Sequence, residues 1–224
     1  MVDMIIGDIN TIMMMNTIPL PEGYRLCNYI EALAGQYACP AVYPDGNTTI
    51  EIDYMSLKDI NDPFEIVFGT TAVAAGTSAN SFYMLLGTSN NAQCGVWKNT
   101  GSALLTDRII QNGERHIYTL SPTSFKIDNV DYGTPYESGY QLNVAVGYNF
   151  YLFTRNQRGT PNTHTANGRI YSFKAYQNGV LAYDYRPVVK LDGTTPGFYN
   201  ILLEGSGHVA VSALSASGTP FTYG

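Results

Sequence analysis

In the run Thr49-Ile50-Glu51-Ile52-Asp53-Tyr54 apolar and polar side chains alternate. A period of two sends alternate side chains to opposite faces, so such a run buries one face of an antiparallel strand and wets the other. Phe64, Ile66 and Phe68 repeat the pattern, as do Leu142, Val144 and Val146, and Tyr171, Phe173 and Ala175. Residues 81–87, 93–98, 116–120, 124–127 and 180–190 are further strand-like runs. Residues 149–153 are apolar on both faces, which predicts a central strand covered on both sides. Only 57–60 reads as helical. Asp45-Gly46, Asn112-Gly113, Asn178-Gly179 and Asp192-Gly193 supply residues that tolerate positive φ. Asn178-Gly179 lies between two strand-like runs, so 169–177 and 180–186 are expected to form a hairpin. About a dozen short strands with no βαβ alternation predict an all-β fold, an antiparallel β-sandwich.

Composition narrows the classes further. Charged residues make up 13% of the 224 and hydrophobic ones 45%, which disfavours a helical bundle with charged outer faces and also disfavours disorder. The net charge of −6 comes with no basic cluster, so phosphate neutralisation has no source and nucleic acid is not an expected partner. Cys27, Cys39 and Cys94 are an odd number at spacings that match neither a zinc site nor a redox motif. A Cys27–Cys39 bridge is one reading and buried free thiols the other, and the pattern fits assembly in a reducing cytoplasm better than a disulfide-stapled secreted fold. Near the N-terminus the charges are Asp3 and Asp8, where a signal peptide carries Lys or Arg. No apolar run reaches membrane-spanning length, so membrane insertion is not expected.

The texture changes at Pro19-Leu20-Pro21-Glu22-Gly23. Residues 1–18 read as an apolar N-terminal arm for assembly or anchoring, and 19–224 as the sandwich. The arm read instead as a first strand completes that sandwich, and both readings stand at this point. Ile5, Ile6, Ile9 and Ile12, with Met13, Met14 and Met15, are the candidate assembly contacts, because flexible apolar residues too few to form a core bury against something else.

Two segments carry a resemblance. One is Leu20-Pro21-Glu22-Gly23-Tyr24, followed by Tyr29-Ile30-Glu31 and Gly35-Gln36-Tyr37. The other is Gly168-Arg169-Ile170-Tyr171-Ser172-Phe173-Lys174, then Tyr176-Gln177-Asn178-Gly179, Leu181, Asp184, Pro187 and Gly197-Phe198-Tyr199-Asn200. Together they resemble the opening and closing motifs of concanavalin A-like (laminin-G-like) jelly-roll domains, common in tailed bacteriophages and prophages of gut bacteria. The resemblance implies a jelly roll in which Tyr171 and Phe173 fill the core, Arg169 and Lys174 reach outward, and Pro187 ends strand pairing at an edge. It also implies a non-enzymatic virion structural protein on the virion surface, assembled in the host cytoplasm. As such it decorates the capsid or a head or tail fibre, with other virion proteins and its own copies as partners. Adhesion to host surface glycans is the accompanying expectation, and a carbohydrate-binding lectin module is the alternative. The sequence departs from the motif at Ala38-Cys39-Pro40 and after Asn200.

The chemistry-bearing residues point the same way. Glu51-Ile52-Asp53 resembles the start of a jelly-roll glucanase strand, but the downstream positions are Met55, Ser56 and Leu57. Retaining hydrolysis needs a second carboxyl about 5 Å from the first, and none follows, so no catalytic residue is assigned. His116, His164 and His208 are widely separated, and neither Asp128 nor Asp192 lies in a calcium-binding spacing, so neither a metal nor a cofactor is expected. The most donor-rich polar segment is 154–165, read as a loop that either contacts a glycan or is simply solvated. Its Arg155, Asn156 and Arg158, with Tyr151 beside them and the lone tryptophan Trp97, are the candidate glycan contacts. Trp97 read as an ordinary strand residue is instead a core or inter-subunit aromatic.

Overall fold

The alternating run at 49–54 lies in the strand Thr48–Ser56, where Thr48, Ile50, Ile52, Tyr54 and Ser56 are buried and the residues between them half-buried. A computed structural model describes residues 20–33, 35–60, 62–72, 81–96, 104–135, 147–202, 209–210, 214–215 and 221–224. The arm at 1–18, Trp97 and the run Leu142–Val144–Val146 lie outside them.

In chain order the described strands begin with β1 (Tyr24–Leu26), β2 (Ile30–Ala32), β3 (Gln36–Tyr37), β4 (Thr48–Ser56), β5 (Glu65–Thr71), β6 (Ser81–Leu86) and β7 (Asn91–Val96). They continue with β8 (Leu104–Ile109), β9 (Arg115–Leu120), β10 (Phe125–Ile127), β11 (Val130–Asp131), β12 (Tyr151–Leu152), β13 (Arg155–Gln157) and β14 (Thr160–Pro161). The last are β15 (Gly168–Gln177), β16 (Val180–Lys190), β17 (Pro196–Asn200), β18 (Val209–Ala210), β19 (Leu214–Ser215) and β20 (Thr222–Tyr223). One sheet runs β11-β10-β9-β4-β15-β16-β17-β18, with β1 on β16, β2 on β15 and β20 on β2. A second runs β14-β13-β5-β6-β7-β8, with β12 on β5, and β3 pairs with β19 in a separate two-stranded sheet. Every named pair is antiparallel except β13 with β5.

The inner faces of the two sheets meet in one apolar core. Phe68, Phe82, Phe150 and Phe173 contribute from both sheets and pack with ring centroids 5.2–6.5 Å apart, four of the contacts edge-to-face. Such offset geometries contribute beyond simple area burial because ring edges and faces carry opposite partial charge. The expected hairpin forms, as β15 and β16 joined at Asn178 and Gly179, both at positive φ (51° and 77°).

Several expectations are corrected. Residues 57–60 form no helix; Lys58 is buried and its ammonium donates to the carbonyls of Asp59 and Asp62 and to Asn90 Oδ1 at 2.6–3.1 Å. The parity of Phe64, Ile66 and Phe68 is broken by a register shift between Ile66 and Phe68, so Phe68 enters the core and Ile66 faces outward. A second shift between Ile170 and Ser172 puts Ile170 and Phe173 in the core. Tyr171 is left outside it, 3.6 Å beneath the Arg115 guanidinium. Pro187 ends nothing: it pairs with Phe198 inside the ladder, and β16 runs on to Lys190. Its carbonyl accepts from Cys27 N–H at 3.1 Å, which ties β16 to the chain that follows β1. Residues 149–153 contain only the two-residue strand β12, since Phe153 takes a positive φ of 64° and breaks it.

Candidate functional site

The segment 154–165 is a hairpin rather than a loop. β13 and β14 pair across Arg158 and Gly159, whose φ values of 56° and 93° make the tight turn. β13 also runs parallel to β5 and places Arg155 opposite Gly69. Gly69 stands opposite Tyr83, and Tyr83 opposite Gly95. These four residues therefore form one row across the outer face of the smaller sheet. The glycines make room for the tyrosine. A Cβ on Gly69 would lie 2.7 Å from Tyr83 Cβ, and one on Gly95 2.9 Å from the Tyr83 ring. The neighbouring row on the same face is Ile66, Leu85 and Gln93.

These rows underlie a cavity of about 350 Å³. Tyr83 and Ile66 form its buried floor, Phe64 and Leu85 stand at its sides, and Gln93, Asn162 and Arg155 supply the polar lining. The Arg155 guanidinium lies 5.5 Å from the Tyr83 ring centroid. Its Nε is buried and without a hydrogen-bond partner. Loss of hydration holds its pKa below the ordinary arginine value, and the opposing influence is the Tyr83 phenol rather than a carboxylate. An arginine stays charged even so, so the site carries a desolvated cation with no internal counter-ion among the described residues. Such a group favours an incoming anion, and a guanidinium fork matches a carboxylate in particular.

The other sequence candidates are placed differently. Tyr151 is 8% exposed, stacks on Tyr37 at 4.9 Å and donates to the Gly159 carbonyl. Asn156 is 1% exposed; it donates to Asn149 and accepts from Gly159 N–H. Both hold the hairpin in shape instead of presenting a surface to a sugar. Arg158 is exposed at the turn. Of the described candidates only Arg155 lines the cavity. Tyr83, Phe64 and Ile66 went unrecognised, because their convergence depends on cross-strand register.

On the opposite side of the sandwich the outer face is cross-linked by ion pairs. Glu51 meets Lys174 at 2.7 Å, Asp53 takes both arms of Arg115 at 2.7–2.8 Å, and Glu31 meets Arg169 at 2.6 Å. Each carboxylate of the Glu51-Ile52-Asp53 run thus faces its own cation. His116 is clasped between Asp128 and Glu114 at 2.6 and 3.3 Å. Among the described residues no group of three His, Cys, Asp or Glu side chains is arranged to hold a metal ion, and no disulfide joins Cys27, Cys39 and Cys94. Burial pushes the Cys27 and Cys39 thiols up to about 11, which makes poor nucleophiles.

No protein-family model and no curated protein sequence matches the chain. Solved structures do. The carbohydrate-binding module of the Ruminococcus gnavus intramolecular trans-sialidase, solved with α2,3-sialyllactose bound, superposes with a TM-score of 0.51 at 12% identity, over 68% of this chain and 90% of the module. The same module with α2,6-sialyllactose gives 0.51 at 13% identity, over the same shares. The leech intramolecular trans-sialidase gives 0.52 at 14% identity over 70% of this chain, which spans 26% of that enzyme. The chain is a jelly-roll β-sandwich. At these identities the likeness is one of fold, and function has to be argued from the site.

Proposed function

We propose that this chain is a non-catalytic glycan-binding module whose outer-face cavity takes an acidic sugar, with Arg155 pairing its carboxylate. The observation that carries the reading is a desolvated arginine without a counter-ion, set over a tyrosine floor in an open cavity of about 350 Å³. Apolar walls with a few convergent polar groups are what a sugar ring needs, since its faces are apolar and its rim is polar. That the R. gnavus module of similar fold was solved with sialyllactoses bound supports the same reading. Tyr83 supplies packing, and Gln93 and Asn162 supply hydroxyl contacts.

Calorimetric titration with matched acidic and neutral oligosaccharides tests it. Sialic acid- or uronate-terminated glycans are expected to bind, and neutral ones to bind far more weakly. Arg155→Gln is expected to lose a charged hydrogen bond of about 1.5–3 kcal/mol, roughly ten- to a hundred-fold in affinity. Binding by no acidic glycan, or an affinity unchanged in Arg155→Gln, overturns the reading.

The seat of the module rests on the motif resemblance, which supports the virion surface of a tailed phage, on the capsid or a fibre. There its partners are other virion proteins and its own copies, and many weak glycan contacts add up through repetition. Absence of the protein from purified particles, measured by quantitative mass spectrometry, removes that half of the proposal.

A further inference from the structure

A second cavity, of about 330 Å³, opens beside the first. The two share Phe64, and successive residues divide between them: Ile66 and Asn162 line the first, Glu65 and Thr163 the second. The alternation of β5 explains the division, since neighbouring side chains leave a strand in opposite directions. Phe64 is 36% exposed and its ring sits 3.9 Å from that of His164, so the two rings form a ridge between the cavities. The ridge is held from both ends. Thr165 bridges to Ile66, and the Lys58 ammonium ties the carbonyl of Asp62, two residues before Phe64, to the body of the protein.

The chemistry of the second cavity is the reverse of the first. Where Arg155 offers donors, this cavity offers acceptors. Asn167 lines this cavity and its Oδ1 has no hydrogen-bond partner among the described residues, while Glu65 Oε2 accepts the Asn167 backbone N–H at 3.2 Å. An acceptor left without a donor costs free energy, and a rotation of the half-buried Asn167 side chain toward the cavity lets a ligand hydroxyl restore it. A second anionic sugar is disfavoured there by the Asp62 carboxylate, and by Glu65 wherever it is ionised, and a neutral polyol is favoured.

We propose that the two cavities are consecutive subsites, the Arg155 cavity for a terminal acidic sugar and the Glu65–Asn167 cavity for the neutral sugar joined to it. The inference rests on the glycan-binding reading and adds the length and polarity of the ligand. An acidic-neutral disaccharide lies across the Phe64 ridge, its charged end over Tyr83 and its neutral ring donating to Asn167 and Glu65.

The test is titration with matched pairs: sialic acid against the disaccharide of sialic acid α2,3-linked to galactose, and glucuronic acid against a glucuronosyl disaccharide. For at least one pair the disaccharide is expected to bind about ten-fold more tightly, the equivalent of one or two added hydrogen bonds with ring stacking. Asn167→Ala is expected to erase that advantage and leave the acidic monosaccharide affinity in place, whereas Arg155→Gln weakens both. Thr163→Leu, at an exposed position, fills the second cavity without touching the core and is expected to act like Asn167→Ala. Equal affinities for monosaccharide and disaccharide, or an advantage that survives both substitutions, overturn the subsite proposal while leaving the Arg155 reading intact. Failure of every acidic ligand overturns both.

Discussion

Glu65 is the residue whose burial has the clearest thermodynamic consequence. Removal from water raises its pKa from the ordinary 4.5 to about 7, against the pull of the Asn167 amide and the Lys58 ammonium. Lys58 is shifted the other way, downward, by its own burial. The carboxyl is thus more easily protonated in the folded chain than in the unfolded one, and the sign of the linkage follows. Protonation of Glu65 adds stability that is fully present below about pH 4.5 and is lost as the pH rises through about 7. A glutamine is the protonated carboxyl's nearest neutral mimic and cannot titrate. The melting temperature of the native protein minus that of Glu65→Gln should therefore fall between pH 5 and pH 8, with the change centred below neutrality. Melts in matched buffers check it, and a difference independent of pH would mean that the carboxyl stays solvated. Asp62 and His164 line the same cavity, so the Gln variant must serve as the baseline at every pH.

At the scale of the element, the β15–β16 hairpin was readable because its signals are local. Asn-Gly supplies two residues that accept positive φ, and its flanking runs alternate. Gly179 is held at φ 77° with no heavy atom within 4 Å of where a Cβ would sit, so the cost of Gly179→Ala is backbone strain alone. That strain is about 1–2 kcal/mol, and urea denaturation is expected to show it as a lower midpoint with an unchanged slope. Side-chain parity was readable by the same logic wherever the ladder is regular, as in β4. It failed at the two register shifts, beside Val67 and Tyr171. A bulge is set by how two strands meet, and a single run does not show it. The site suffered from the same blindness. Arg155 was legible as a donor in a polar segment, but Tyr83 becomes a floor only because Gly69 and Gly95 fall opposite it, from strands before and after it in the chain.

For the whole molecule, the two outer faces divide the work. The face of the larger sheet closes Glu31, Glu51 and Asp53 onto Arg169, Lys174 and Arg115. The face of the smaller sheet leaves Arg155 open, on a protein whose net charge is −6. A cation in an acidic surround selects by local geometry, since exposed charges more than about 10 Å away are largely screened at moderate salt. Residues 1–18 enter as a third feature, and the proposal for them is an arm that binds a sister chain or a particle. The described core already joins Ile30 near one end of the sandwich sequence to Phe221 near the other, around rings from both sheets. Deletion of 1–18 is therefore expected to leave the melting temperature nearly unchanged and glycan affinity intact, while self-association or incorporation into particles falls. Calorimetry and sedimentation on the truncated chain separate the outcomes. A drop of several degrees would mean that Ile5, Ile6, Ile9 and Ile12 belong to the sandwich as a strand, and it would move the assembly contacts from the arm to the sandwich surface.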